Sequence, residues 1–445
     1  VIEIMKKTAW VIVVVGLLTA LIFAQNSRNN SGTSVLNSPT GQALVQTLGL
    51  IQDQYLERLD QTRVNEVVQG GIKGMIEALD DQFTNYNPPA AAALRSQDLA
   101  GEFFGIGATL SPPQSGGGAQ IVGLIRGLPA ITAGLRVGDV IVEVSGEDVS
   151  KLTVNEVVAK VRGPKGTKVV IGVRREGSAA ILRYEMIRER VEIVSVTRAM
   201  LPGNVGYVAL ETFGNVKVTD QLTAAIADLR SKGATRLVFD LRDNGGGLLD
   251  QGCQVASLFI KEGPVTYVRN RTETRQYCAA SGKPVWTGPM AVLLNGNSAS
   301  ASEIVAGAIQ DTDRAKVFGE TSFGKGVGQN VIDLSNGGSL TLVTFEWLTP
   351  KRRGLNGKGV VPDVEITDSR FETPLSFEGA GVKPGETVTI NVAGKSFTAT
   401  ANKEGKFNFS QPLPVRTLSN SEDRTVAEVD LEKDAILRKA WESLR

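Results

Sequence analysis

The sequence predicts a multidomain protein of the α/β and β classes: N-terminal helices, a small β domain, an α/β core and a further small β unit near the C-terminus. Three observations carry this. The chain has 445 residues, room for about three domains. Its hydrophobic periodicity changes along the chain, from helical spacing before residue 80, to short alternating strands between 100 and 190, to strands and helices in turn beyond that. Forty-nine glycines against four tryptophans suit a loop-rich chain built from many short elements. A net charge of +1 gives no reason to expect a polyanionic partner, so no nucleic acid is expected.

Residues 1–25 read as a signal peptide or a membrane anchor. Lys6 and Lys7 precede an apolar run from Ala9 to Ala24, roughly sixteen residues or about 24 Å as helix, short of the ~30 Å hydrocarbon core. That length favours a cleaved signal peptide over a retained anchor, and either places the bulk of the chain outside the cytoplasm, in the periplasm or cell envelope. Residues 26–39, rich in Asn, Ser, Thr and Gly, read as a linker. Across 40–99, Leu44, Leu48, Ile51 and Tyr55 share one helix face and Val64, Val67, Val68, Ile72 and Ile76 another, which predicts two or three helices in a small unit.

Residues 100–190 carry a glycine-rich hairpin at Ser115 to Ala119 and strands at Gln120 to Ile125, Val140 to Val144 and Val169 to Arg174. A helix is expected near Val154 to Val161. Residues 191–370 alternate differently: a strand at Val205 to Leu210, an amphipathic helix at Val218 to Arg230, then the short apolar strand Arg236 to Leu241. That strand runs into Arg242-Asp243-Asn244-Gly245-Gly246-Gly247 and a helix-like Leu248 to Phe259. Strand, glycine turn and helix in succession place exposed amides beside a strand end, and successive glycines allow them to approach a substrate closely, as an oxyanion hole requires. Cys253 and Cys278 are two cysteines in a chain read as exported, so a disulfide is open to them; Cys253 also fits a buried free thiol. Residues 371–420 return to short strands and glycine turns, a small β unit, and 421–445 close with a helix packed on the core.

The chemistry concentrates between Asn295 and Gln329. After the apolar strand Met290 to Leu294 comes Asn295-Gly-Asn-Ser298-Ala-Ser300-Ala-Ser302-Glu303, followed at once by Ile304, Val305, Ala308 and Ile309 at helical spacing. Ser300 therefore sits at the first helical turn, where free N–H groups and the helix dipole stabilise negative charge on an oxygen. The competing reading makes Ser298 and Ser300 helix caps and Ser302–Glu303 a surface helix. There is no histidine anywhere in the chain, which excludes a Ser-His-Asp triad and any His-ligated metal. A serine nucleophile here needs another base, and a neutral lysine is the remaining common choice. Lys325 lies between Gly324 and Gly326 in Phe318 to Gln329. Two rival motifs overlap it. Gly319 to Gly326 misses a phosphate-binding loop because Gly326 has no hydroxyl and a strand follows. Ser322 with Lys325 makes a Ser-x-x-Lys pair, but glycines on both sides of the lysine oppose the helix that such a pair needs.

These residues resemble the C-terminal processing peptidases, or tail-specific proteases, over about Ser34 to Asp368 and again in the last twenty or so residues. The resemblance implies Ser300 as nucleophile, Lys325 as general base and Gln329 as the residue that orients the lysine. It implies an oxyanion hole from the amides of Gly246 and Ala301, although Gly245 stands where that family usually has proline. Leu79-Asp80-Asp81-Gln82-Phe83 departs from the family's Leu-Asp-Pro-His-Ser. Residues 100–190 look like a PDZ domain, in which Phe104, Gly105, Ile106 and Gly107 would form the carboxylate-binding loop for a substrate tail. The implied protein is an exported Ser-Lys serine endopeptidase that takes proteins through apolar C-terminal tails, without metal or cofactor; a homo-oligomer is compatible with it. The alternative is a non-catalytic PDZ scaffold or adaptor of the same fold, against which intact Ser300, Lys325 and Gln329 speak.

Overall fold

The computed structural model describes residues 35–113, 117–125, 127–178, 180–370, 376–379, 381–392, 395–402, 405–410 and 425–445. The expected signal peptide or anchor, most of the linker and part of the hairpin at 115–119 lie outside the described residues. No helix among the described residues is long and apolar enough to cross a membrane.

The chain divides into two units at Gln82/Phe83. The first holds α1 (Pro39–Gln54) and α2 (Gln61–Glu77). Ser38 caps α1 by accepting the Gly41 amide at 3.1 Å, and Asp60 caps α2 by accepting that of Arg63 at 2.8 Å. The helical spacing is as expected, but the apolar faces are not enclosed: Leu44, Val45, Tyr55 and Met75 are more than half exposed and no residue of α2 is buried. Two short helices offer too little surface to close a core.

The second unit opens with β1 (Asn85–Asn87) and α3 (Pro89–Leu99). A β domain follows: β2 (Glu102–Gly105), β3 (Ala108–Ser111), β4 (Ala119–Leu124), the short α4 (Pro129–Thr132), β5 (Val140–Val144), β6 (Glu147–Asp148), α5 (Val154–Val161), β7 (Lys168–Arg174), β8 (Leu182–Ile187) and β9 (Glu189–Glu192). The β3-β4-β5-β7-β8 sheet and α5 enclose Ile106, Ile121, Ile141, Val157, Val169 and Ile171. The start of α5 is fixed by a reciprocal cap, Thr153 with Glu156.

Then come β10 (Val196–Leu201), β11 (Val205–Leu210), α6 (Val218–Ser231), β12 (Arg236–Asp240), α7 (Leu249–Ser257), β13 (Pro264–Arg269), β14 (Thr274–Ala279), β15 (Met290–Leu294), α8 (Ala301–Asp311), β16 (Lys316–Gly319), β17 (Val327–Asp333), β18 (Ser339–Leu348) and β19 (Val364–Glu365). The sheet β10-β11-β12-β15-β16-β19 is parallel except at β10. Alternation along its strands builds two cores. Leu237, Phe239, Val292 and Leu294 face α6, α7 and α8, whereas Val238, Ala291 and Leu293 face α9 (Ala435–Ser443) through Ile436, Leu437 and Ala440. A second, antiparallel sheet runs β1-β18-β13-β14, with β17 on the other edge of β18. Within the expected β unit, β20 (Ser376–Gly379) pairs with β23 (Phe407–Ser410) and β21 (Thr387–Val392) with β22 (Lys395–Thr400); residues 371–375, 380, 393–394, 403–404 and 411–420 lie outside the described residues. The fold class is the one the sequence predicts.

Candidate active site

Two adjacent parallel strands, β12 and β15, end side by side, and the turns that leave them make the site. This is where open α/β sheets place their ligands. The turn after β15 carries three serines, and the structure separates their roles. Ser298 is buried, its Oγ donating to the Leu241 carbonyl at 2.9 Å and accepting the Asn295 amide at 3.0 Å. Ser302 is buried too and donates to the Asn244 carbonyl at 2.8 Å. Ser300 is only half-buried. It adopts φ 57°, ψ −114°, a sparsely populated conformation that persists only where its surroundings impose it.

The surroundings are the glycine turn after β12. Asn244, fully buried, accepts the Ala299 amide on its carbonyl at 3.0 Å, while its side chain donates to the Leu210 carbonyl at 2.7 Å. A Cβ on Gly246 would lie 2.8 Å from both the Ser300 Cβ and the Ala301 nitrogen, so only glycine fits. One expectation changes here. The Gly246 amide, expected to face an oxyanion, donates to Asn244 Oδ1 at 2.9 Å, because a buried side-chain carbonyl beside it needs a donor. The amides of Gly245, Gly247 and Ala301 donate to no acceptor among the described residues.

Glu303 joins the turn that carries Ser300 to the loop that carries Lys325. It is fully buried, and one of its oxygens accepts the amides of Ser300 and Lys325 at 2.7 and 2.9 Å. The other accepts the Ser322 hydroxyl at 2.6 Å and the Gly324 amide at 2.7 Å. The surface-helix reading of Ser302–Glu303 is thereby corrected. Sequence reasoning missed this role, since three of its four donors come from a loop some twenty positions away. Ser322 is itself buried and also accepts the Val360 amide at 2.7 Å, so its hydroxyl is committed on both sides. Gly326 has no room for a side chain, a Cβ there falling 2.3 Å from the Asn356 nitrogen. The next residues form strand β17, not the helix that a phosphate-binding loop opens.

Lys325 is half-buried, and its Nζ stands 4.8 Å from the centroid of the Phe83 ring. Gln329, expected to orient the lysine, donates from Nε2 to the Phe83 carbonyl at 3.0 Å and so reaches it by way of Phe83. Phe83 had no assigned part in the sequence, and it belongs to the stretch that departs from the family pattern.

In the β domain, Phe104 is half-buried, and Gly105, Ile106 and Gly107 are buried. The Ile106 side chain belongs to the domain core, at 2% exposure, so Ile106 offers a ligand only its main chain. The loop is held by its carbonyls: Ile106 accepts the Ala130 amide at 2.8 Å and Gly107 that of Ile125 at 2.9 Å. The Ile106 and Gly107 amides find no acceptor among the described residues, the arrangement expected of a carboxylate-binding loop.

Comparison with known proteins decides the family. Residues 204–366 match peptidase family S41 and residues 96–174 match the PDZ domain. The chain is 31% identical over 405 residues to the carboxy-terminal processing protease CtpA of Bacillus subtilis, across 89% of this chain and 85% of that protein. It is 34% identical over 343 residues to the carboxy-terminal-processing protease of Bartonella bacilliformis, across 76% of each. The chain belongs to peptidase family S41. Among solved structures it is similar to the photosystem II D1 C-terminal processing protease, 30% identical across 72% of this chain and 86% of that one, with a TM-score of 0.43. This S41 peptidase is thus a serine-type endopeptidase of the C-terminal processing group with a PDZ domain.

Behind the site the S41 peptidase buries a charge network. Arg242 pairs with Asp240 at 2.6 Å and with Asp434, at the start of α9, at 2.7 Å. Arg370 pairs with Asp368 at 2.6 Å and Asp243 at 2.8 Å. Asp243 in turn accepts from Asn295 at 2.8 Å and Asn297 at 3.0 Å, tying the network to the turns after β12 and β15. Burial alone would raise the Asp368 carboxyl, but hydrogen bonding and charge from Arg370, with help from Arg242, hold it down at about 2. A disulfide between Cys253 and Cys278 joins α7 to β14. It links the helix that follows the glycine turn to the sheet that β17, the strand after Lys325, joins.

Proposed function

We propose that this S41 peptidase is an exported endopeptidase that cleaves proteins recruited through apolar C-terminal tails, with Ser300 as nucleophile and Lys325 as base. The observation that carries the reading is the buried Glu303 carboxylate, one oxygen of which holds the amides of Ser300 and Lys325 together. Two main-chain amides on one buried oxygen bring the serine's turn and the lysine's loop together, which supports a nucleophile with a neighbouring base. Neutral Lys325 takes the Ser300 proton as Oγ attacks the peptide carbonyl. The oxyanion is received by the Ala301 amide and an uncommitted amide of the glycine turn, Gly245 or Gly247, and the protonated lysine gives its proton to the leaving amine. Water then releases the acyl group, with Lys325 again as base.

Tail recruitment rests on the open amides of Ile106 and Gly107, since PDZ domains take a terminal carboxylate on loop amides and the chain before it by strand addition. Export rests on the apolar segment Ala9 to Ala24 and on the disulfide, a bond that persists in oxidising compartments. The test is incubation of the purified protein with one loosely folded substrate bearing an apolar free tail, an amidated tail or an Asp-terminated tail. Wild type is expected to degrade the first fastest and Ser300→Ala none of them. Equal rates for all three tails exclude recruitment through the carboxylate, and turnover by Ser300→Ala excludes the nucleophile.

A further inference from the structure

The strand that follows the lysine is an open edge. β17 begins two residues after Lys325 and, among the described residues, pairs with β18 alone. Its last four residues, Asn330 to Asp333, are exposed, among them Val331 at 40% and Ile332 at 44%. Edge strands are commonly blunted by lysine, proline or a covering segment. This one reads Val-Gly-Gln-Asn-Val-Ile-Asp, with no proline and a single charge at its far end.

Hydrogen-bond parity shows which groups are open. The Leu334 amide donates to the Gly338 carbonyl at 2.8 Å and closes the hairpin, so the antiparallel alternation puts the ladder bonds on Ile332 and Asn330. Gln329, Val331 and Asp333 therefore turn their amides and carbonyls away from β18. The opposite strand agrees: Val343, across from Gln329, gives its amide to Thr84 Oγ1 at 3.1 Å, and Thr341, across from Val331, pairs with Asn85 of β1. Among the described residues, none bonds to the outward main-chain groups of Gln329, Val331 or Asp333.

We infer that an extended substrate chain adds to β17 as a further strand and that its main-chain groups pair with Gln329, Val331 and Asp333. The inference rests on the Ser-Lys reading above and names how that site holds its substrate. The occupant follows from position. The open groups start at Gln329, recur at every second residue as an extended peptide requires, and belong to the strand that leaves Lys325, so a chain lying on them leads into the site. Main-chain pairing is indifferent to side-chain identity, and Val331 and Ile332 present apolar surface on the two faces of the strand. The cleavage region is thereby expected to tolerate many sequences, provided they are unfolded and extended.

The experiment uses the full chain and a peptide substrate with a free apolar tail, N-methylated at one residue at a time around the scissile bond. On wild type, kcat/KM should fall at least tenfold at alternate residues and little at those between. Val331→Pro removes an outward amide at an edge position where proline is tolerated, and should lower kcat/KM on the unmodified peptide at least tenfold while Tm stays near wild type. Where that variant fails to fold, the N-methyl series on wild type decides. Losses without a two-residue period, or a folded Val331→Pro with wild-type kcat/KM, overturn strand addition while leaving the dyad intact. Failure of wild type to label at Ser300 with a small fluorophosphonate is a different result: it removes the Ser-Lys reading, and strand addition falls with it.

Discussion

Glu303 accepts the main-chain amide of Lys325 at 2.9 Å on the same oxygen that accepts the amide of Ser300. A glutamine in its place has one oxygen for four donors and turns its NH2 group toward two of them. Glu303→Gln should therefore lower kcat by about 100-fold while KM moves by less than about threefold, the pattern of lost positioning rather than lost binding. Steady-state kinetics on a peptide substrate read this directly. A change confined to KM would show that the carboxylate does not align the dyad.

Phe83 lies against Lys325, which the proposed mechanism requires to be neutral. An aromatic face favours a nearby ammonium by about 0.5–1 kcal/mol. Phe83→Leu keeps apolar bulk but removes that attraction, so the neutral amine gains. The ascending limb of the pH–rate profile should move about half a pH unit toward lower pH. A shift toward higher pH would mean that the ring acts mainly by excluding water.

The Cys253–Cys278 disulfide closes a loop of 25 residues in sequence separation. A loop of that size gives about 3 kcal/mol of stabilisation in the chain-entropy account. Replacing both cysteines by serine should lower the denaturant midpoint by a corresponding amount. An unchanged midpoint would show that the α7–β14 link is energetically idle.

Acid should loosen the network that docks α9. The folded Asp368 carboxyl titrates at about 2, below the ~3.9 of an unfolded aspartate. Its contribution, of the order of 2 kcal/mol, is complete above about pH 4 and is lost as pH falls toward 2. Asp240 is also lowered: burial opposes the shift, and Arg242 outweighs it. Tm measured between pH 5 and 2 should fall less steeply in Asp368→Asn than in wild type, and equal slopes would remove Asp368 from the acid response.

Ser300 and Lys325 stand out in the sequence as candidates because the signals are local: a serine at a helix start and a lysine between two glycines, in a chain without histidine. Strands and the helix at Val154–Val161 were legible from their hydrophobic period. Other parts depend on contacts distant in the chain. Glu303 looks like an ordinary helix-start acid until the loop at 322–325 folds onto it. Phe83 meets Lys325 only because β1 pairs with β18, more than 250 positions away. The partner of the Gly246 amide is hidden for a related reason, since nothing in a run of glycines says that the Asn244 side chain turns back to take it. Apolar spacing in 40–79 marked helices correctly but could not say that they stay uncovered.

The central claim is that Lys325 activates Ser300. The most direct measurement is the rate of fluorophosphonate labelling against pH, with the adduct located by peptide mapping, in wild type, Lys325→Ala and Lys325→Arg. The account predicts an adduct on Ser300 that forms faster as pH rises, and loss of labelling in both variants, because a guanidinium stays protonated and cannot serve as base. An adduct on Ser322, or near wild-type labelling of Ser300 in Lys325→Arg, would contradict it.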